Sequence, residues 1–382
     1  MRLVYLSPVP WASFAQRPQK FIRWFHETTG GKVLWLDPYP CRFPSLADFK
    51  KIGVSDKTES DNLEPWLTVL KPKALPIEPL PASGFINGSI YWSELLKEVK
   101  AFSSDEKTLL VIGKPTVLAL KVLDLLKGHP SVYDAMDDFP TFYSGLSKAA
   151  MAWRELKIGR QTTFLLASST KLVKKWTAHR ANVKFVPNGL DTSLLPPTKD
   201  LLNVHPAKTF GYVGTVGAWF DWKWLINLAE SRPNDEVHIV GPVFTPTTLK
   251  TPPNIKFFPP CSHKDALLKM LTFDVAVIPF QKNNLTSSVD PIKYYEYRAL
   301  GLPIISTSFG EMAYRGELDG VYLCDNPDEF SSAVDNALKY TNIGFCSDQF
   351  KSENSWETRF NNAALIQENN LNNSIASEAL EE

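Results

Sequence analysis

The chain has 382 residues, too many for one ordinary compact core and suited to two domains of roughly 150–200 residues each. Hydrophobic residues make up 44% and charged residues 21%, a globular balance that excludes wholesale disorder and a membrane-embedded body. Lysine plus arginine equals aspartate plus glutamate at 41 each, which excludes a generic nucleic-acid binder but leaves room for local asymmetry.

In chain order, short apolar runs alternate with helical patterns, the rhythm of parallel strands joined by crossover helices. In the first half the expected strands are Leu3–Ser7, Val33–Leu36, Thr108–Ile112, Ser131–Asp134, Phe164–Ala167 and Val183–Val186, with helices such as Gln16–Thr28 and Thr116–Leu126 between them. Cys41–Gly88, rich in proline and charge, reads as connections with little regular structure. A polar link at 192–206 divides residues 1–191 from a second domain at 207–351, where strands are expected at Thr209–Val213, Glu236–Val240, Ile255–Phe258, Val275–Pro279, Pro303–Ser306 and Val321–Cys324. The apolar spacing of Trp356, Phe360, Ala364 and Ile366 predicts a C-terminal helix within 352–371, able to cross back to the first domain, before a frayed tail at 372–382. This is an α/β chain of two doubly wound, Rossmann-like units, and ligands of such units sit outside the carboxyl ends of the strands.

Charge is unevenly placed. From Ser144 to Lys184 there are six lysines and three arginines against the single acid Glu155, while after Lys351 six glutamates face only Arg359. Cys41, Cys261, Cys324 and Cys346 are far apart, with no CxxC pair and no histidine at ligand spacing, so a reducing compartment and no structural metal are expected. The start, MRLVYLSPVPW, holds only a five-residue apolar stretch, too short for a signal peptide's core, and no segment has the ~18 apolar residues of a spanning helix. A cytoplasmic location is expected.

The stretch richest in chemistry is Asp290–Pro303. Pro291 suits a helix's first turn and Gly301 its carboxyl end, which makes Ile292–Leu300 a short helix. Its amino end, with Lys293 in the first turn, favours a diphosphate, and Glu296 on the same face can accept hydrogen bonds from a ribose diol. An intrahelical Lys–Glu pair on a solvated surface is the plain alternative for an isolated KxxE.

Context weighs against that alternative. The segment resembles the nucleotide-sugar signature of GT-B glycosyltransferases, in which a proline and a lysine precede a ribose-binding glutamate and EYxAxGxP; Tyr294 falls between the two functional positions. Phe210-Gly-Tyr-Val-Gly-Thr resembles the family's first donor-domain strand and glycine loop, Val237-His-Ile-Val-Gly-Pro its second strand, and Asp274-Val-Ala-Val-Ile-Pro-Phe the strand before the donor helix. Val186-Pro-Asn-Gly-Leu-Asp resembles the motif closing the N-terminal domain. The matches cover roughly half the chain and imply the GT-B fold, two Rossmann-like domains facing a deep inter-domain cleft, with a nucleoside-diphosphate sugar, in particular a UDP-sugar, as substrate and no further cofactor. Many retaining GT-B enzymes carry a second glutamate eight residues before the ribose-binding one; here that position is Ser288, which withholds support for retention.

The N-terminal half resembles bacterial exopolysaccharide glucuronosyltransferases and teichuronic-acid glycosyltransferases, through Trp11, Gln16-Arg17-Pro18-Gln19 and Tyr133-Asp-Ala-Met-Asp-Asp-Phe. In the former an aspartate after a similar strand acts as catalytic base, which implies Asp137, with Asp138 beside it. Physically, adjacent acids raise each other's proton affinity toward a useful range. The structural alternative is that one of the two caps the following helix. Arg17, at the start of the first helix, can meet a donor phosphate or an anionic acceptor, or remain an ordinary surface arginine. Gly214 and Thr215 close the glycine loop after the first donor-domain strand and are expected at the donor; in the following loop, Thr215–Trp222, Gly217 permits close backbone approach to phosphate and Asp221 can contact the sugar, while Trp219 and Phe220 can equally be core. Glu311 and Tyr314 have no role legible in the sequence.

Within the basic run, Met151, Trp153, Leu156 and Ile158 interleave with Lys148, Arg154, Lys157 and Arg160, a composition suited to anionic lipid headgroups and a lipid-linked acceptor; the plain alternative is a solvated helix with a buried stripe. No DxD lies in a donor-domain loop, so metal-independent transfer is expected. The expected reaction is inverting transfer of a hexosyl or uronosyl group onto a glycan or lipid-linked glycan of a bacterial surface polysaccharide, at the inner face of the plasma membrane. Two other readings share the fold. A non-catalytic nucleotide-sugar-binding partner would release no nucleoside diphosphate, and a sugar-nucleotide epimerase needs several acids and a histidine around the sugar, whereas none of the six histidines lies beside a cleft motif in the sequence.

Overall fold

A computed structural model describes residues 1–13, 15–41, 63–196, 207–316, 318, 320–340 and 348–367. It divides into two compact units, Met1–Val186 joined by the described residues from Phe360 onward, and Pro187–Arg359. Of the stretch expected as a polar link, 197–206 lies outside the described residues, as do Cys346 and the tail beyond 367.

The first unit has one parallel sheet in the order β3-β2-β1-β4-β5-β6-β7. The strands are β1 (Arg2–Leu6), β2 (Val33–Leu36), β3 (Leu67–Leu70), β4 (Thr108–Ile112), β5 (Ser131–Ala135), β6 (Phe164–Ala167) and β7 (Val183–Phe185). The central strands are buried residue after residue, as a parallel sheet covered by helices on both faces requires. β3 was not expected. It lies in the proline-rich stretch, buries only Leu67 fully and so lacks a continuous apolar run; pairing with β2 makes it a strand. The same stretch holds a helix at Ser83–Asn87 that continues as a π-helix at Gly88–Trp92, correcting the reading of Cys41–Gly88 as irregular; 42–62 lie outside the described residues.

The second unit repeats the plan with six parallel strands in the order β10-β9-β8-β11-β12-β13. These are β8 (Thr209–Val213), β9 (Glu236–Val240), β10 (Ile255–Phe258), β11 (Val275–Ile278), β12 (Ile304–Ser306) and β13 (Val321–Leu323). Each lies where the apolar runs placed it, within one residue at either end. In both units the order reverses beside the first strand, the switch point at which doubly wound sheets open a crevice. Each unit has its own hydrophobic core.

The helix Trp356–Asn362 is shorter than the apolar spacing suggested, because Ala364 takes a left-handed φ of 52°. From it Phe360, fully buried, packs on Phe21 and Trp24 of the first unit at ring distances of 5.0 and 5.4 Å.

Candidate active site

In the second unit the site residues gather at the carboxyl end of β8. The chain leaves the strand through Gly214, whose φ of 141° is one that side-chain-bearing residues rarely adopt. Its N–H donates to the Val240 carbonyl at 2.8 Å, and a Cβ there would come within 2.3 Å of Lys293 Cε and 2.6 Å of Nζ. Gly214 therefore lets the lysine lie directly on the loop. Lys293 belongs to the helix Ile292–Ala299, capped by Pro291 and ended by Gly301 at φ 78°, much as the sequence suggested. No side chain caps the amino end, so first-turn N–H groups remain for a ligand. Tyr297 anchors this helix to the strand by accepting a hydrogen bond from the Val213 N–H at 3.0 Å.

Burial lowers the Lys293 ammonium below its ordinary range and Glu296 opposes the shift. Among the described residues no carboxylate lies within salt-bridge distance of Nζ, which sits 5.4 Å from the Tyr212 ring centre. A half-buried cation beside a glycine loop and an uncapped helix end is an arrangement that suits a phosphate.

Glu296 is buried and its Oε1 lies 2.7 Å from His263 Nε2. Here the sequence reading is corrected. No histidine neighbours the motif along the chain, yet His263, thirty-three residues earlier, is hydrogen-bonded to its central acid. It occupies the first position of the helix His263–Met270, after the N-cap Ser262. A helix start following a strand end was the one available signal.

The remaining candidates of this unit have contacts within the fold. The Thr215 carbonyl accepts from the Tyr212 hydroxyl at 2.8 Å. Gly217 makes room for the Trp219 ring, which a Cβ there would meet at 2.6 Å. Asp221 is the N-cap of the helix Trp222–Ser231, accepting from Trp224 N–H at 3.0 Å. Tyr294 is buried, with the Arg315 guanidinium 3.7 Å over its ring. Asp290, which the sequence did not single out, fixes the approach to the helix: its carboxylate accepts from Asn188 N–H at 2.7 Å and Tyr295 hydroxyl at 2.9 Å, and pairs with Arg315 at 2.7 Å. Ser288 is buried.

In the first unit the end of β5 carries three acids in different surroundings. Asp134 is fully buried and grips Arg17, with Nε at 2.9–3.1 Å and Nη2 at 2.8 Å from its oxygens. Arg17 Nη1 donates to the Val186 carbonyl at 2.8 Å. This corrects Arg17, which is neither a surface residue nor an open anion site: its charge is matched inside the fold. Asp138 pairs with Lys175 at 2.8 Å, and Lys175 also holds Glu155 at 2.7 Å. Asp138 stands at the start of the turn Phe139–Phe142 but makes no side-chain cap bond. Asp137, half-buried, accepts no hydrogen bond among the described residues. Burial pushes its carboxyl up to about 7; Arg17 opposes, while Asp134 and Asp138 add to the rise. Of the three, Asp137 alone has a carboxylate uncommitted to a partner and poised near neutrality.

The basic run is only partly a surface. Arg154 is buried against Glu78 at 3.4 Å, Met151 and Ile158 are core, and Arg180 caps the carbonyls of Gly159, Thr162 and Thr163. Lys148, Trp153, Lys157 and Arg160 remain exposed. Among the described residues no helix is long and apolar enough to cross a membrane.

No protein-family model matches the chain. It is 26% identical over 198 residues, 46% of its length, to TuaH of Bacillus subtilis (strain 168), a protein assigned as a teichuronic acid biosynthesis glycosyltransferase. The match spans about half, 50%, of that relative's length. Among solved structures, the sucrose-phosphate synthase of Thermosynechococcus elongatus superposes with a TM-score of 0.67 at 13% identity, covering 96% of this chain and 98% of that one. HepE of Anabaena, solved in complex with UDP and glucose, superposes with a TM-score of 0.65 at 14% identity, covering 95% and 98%. The lipopolysaccharide outer core galactosyltransferase WaaB gives 0.60 at 14% identity, covering 95% and 99%. The chain thus has the GT-B fold, two Rossmann-like units in tandem, and resembles the GT-B glycosyltransferases.

Proposed function

We propose that the protein is a glycosyltransferase that moves a hexosyl or uronosyl group from a nucleoside-diphosphate sugar onto a glycan or lipid-linked glycan of a bacterial surface polysaccharide. The observation that carries the reading is Lys293: a desolvated ammonium with no salt-bridged carboxylate among the described residues, lying on the Gly214 loop at an uncapped helix start. That environment suits a diphosphate. Glu296 on the same short helix suits the ribose diol, HepE was solved with UDP and glucose, and TuaH is assigned to teichuronic acid biosynthesis. Those two likenesses support a UDP-sugar donor and a surface-glycan acceptor.

In the proposed inverting reaction the Asp137 carboxylate takes the proton of the acceptor hydroxyl, whose oxygen bonds to the anomeric carbon. The carbon–oxygen bond to the diphosphate breaks, and the leaving group carries away the electron pair toward Lys293 and the helix N–H groups. Transfer needs no metal in this scheme. The exposed Lys148, Lys157 and Arg160 would seat the enzyme on the anionic inner face of the plasma membrane.

A panel of nucleoside-diphosphate sugars, read for nucleoside diphosphate released, tests the reading. Glu296→Ala should weaken nucleotide binding, and Asp137→Ala should abolish turnover while binding persists; release by no donor, or equal turnover by Asp137→Ala, refutes the corresponding part. Because His263 does stand beside the motif, the same panel is also read for an epimerised sugar nucleotide, whose appearance would favour the epimerase.

A further inference from the structure

We propose that the segment Leu80–Tyr91 is an apolar ridge by which the first unit inserts into an anionic bilayer; the inference rests on the membrane part of the functional reading and identifies its anchoring element. The segment displays its apolar side chains outward. Phe85 is 76% and Ile90 60% exposed, with Leu80, Ile86 and Tyr91 exposed beside them. From Pro79 to Ser93 there is no charged residue.

The exposure comes from a well-braced backbone. Glu78, buried at the base, accepts from the Val117 N–H at 2.8 Å, and its carbonyl accepts from the Ser83 hydroxyl at 3.0 Å and from Arg154 at 3.3 Å. Asn87 exchanges two hydrogen bonds with the Leu75 backbone, at 2.8 and 3.2 Å, and the buried Trp92 donates to the Lys73 carbonyl at 2.9 Å. Gly84 and Gly88 face inward, where a Cβ would meet Val117 at 2.6 Å and Lys121 at 3.2 Å. Small and polar residues point in and large apolar ones out, the reverse of a helix covering a core.

Charge on the neighbouring helix selects a bilayer as occupant. The ridge and the helix Gly145–Gln161 meet at the Glu78 carbonyl, which accepts from both Ser83 and Arg154. On that helix Leu146, Trp153 and Arg160 recur at heptad spacing with Lys157 between them, all exposed, and its one acid, Glu155, is buried. An uncharged apolar ridge, joined through Glu78 to a helix whose exposed face carries lysine, arginine and tryptophan, has the composition of an acyl-chain boundary with anionic headgroups.

The full chain is co-sedimented with phosphatidylglycerol–phosphatidylcholine vesicles at low and at high salt, alongside Phe85→Ser/Ile90→Ser and Lys157→Ser/Arg160→Ser. All four substitutions are at exposed positions, and circular dichroism confirms folding. The ridge variant should lose the salt-resistant binding, on the order of a hundredfold for the two apolar side chains, whereas the charge variant should lose the salt-sensitive part. If the ridge variant binds as wild type at both salts, the ridge is not inserted while the membrane reading stands. If the wild type binds no vesicle, both fail, and the donor panel still judges the transferase reading. A wild type that instead forms dimers which Phe85→Ser/Ile90→Ser separates would make the ridge a protein contact and overturn the proposal.

Discussion

Asp134, Asp137 and Asp138 are one residue type within five positions, and their surroundings set them apart. Arg17 matches Asp134 and Lys175 holds Asp138, while burial raises Asp137 to about 7. If Asp137 is the base, turnover rises with pH through about 7 as the carboxylate forms, and Asp137→Ala loses roughly 10²–10⁴ in rate. A carboxyl raised from 3.8 to about 7 keeps its proton longer in the folded than in the unfolded chain, so the native state loses stability as pH climbs through that window. Asp137→Asn should therefore melt higher than wild type at pH 8 and equal to it near pH 4; equal melting at both values would mean that the carboxyl is not raised. The His263–Glu296 bond supports a second expectation. His263→Ala should weaken nucleoside diphosphate binding on the order of tenfold, from the 1.5–3 kcal/mol of a hydrogen bond to a charged group. It should also narrow the preference for ribose over 2′,3′-dideoxyribose nucleotides, which a purely structural role would leave unchanged. Neither Arg17–Asp134 nor His263–Glu296 was legible in the sequence, because their partners lie 117 and 33 residues apart and strand order brings them together.

At the scale of elements the sequence was far more informative. The helix Ile292–Ala299 could be read from Pro291 and Gly301 because its boundaries are set by local backbone chemistry, fixed φ at one end and positive φ at the other. β3 escaped because an edge strand with one fully buried residue owes its existence to β2. Asp221 illustrates how an element can use a residue that the loop reading offered to the sugar. Its carboxylate caps Trp222–Ser231, so Asp221→Ala should cost about 1 kcal/mol in chemical denaturation whatever else it does. Asp221→Asn keeps the cap; a fall in donor binding by that variant at wild-type stability would restore a sugar contact, and unchanged binding would leave the cap as its role.

For the whole molecule, two units with separate cores and the same strand order are expected to divide the labour, with the nucleotide held by the second. A nucleoside diphosphate at a hundredfold excess over its Kd should stabilise the chain by about 2.7 kcal/mol. Hydrogen exchange should slow at Gly214–Trp219 and Ile292–Ala299 and remain unchanged at Ser131–Asp138; protection centred on the first unit would reverse the assignment. The sequence by itself determined the α/β class, the strands buried on both faces, the restart of the pattern in a second unit and the helix that carries Lys293 and Glu296. Apolar periodicity, capping and turn chemistry act over a few neighbouring residues, so they are written locally. Only the tertiary structure decided which charges are paired inside the fold, as at Arg17, Arg154 and Lys175, and which have no salt-bridge partner among the described residues, as at Lys293 and Asp137. Ion pairing and desolvation depend on what the folded chain places within a few ångströms, and spacing along the sequence does not encode that.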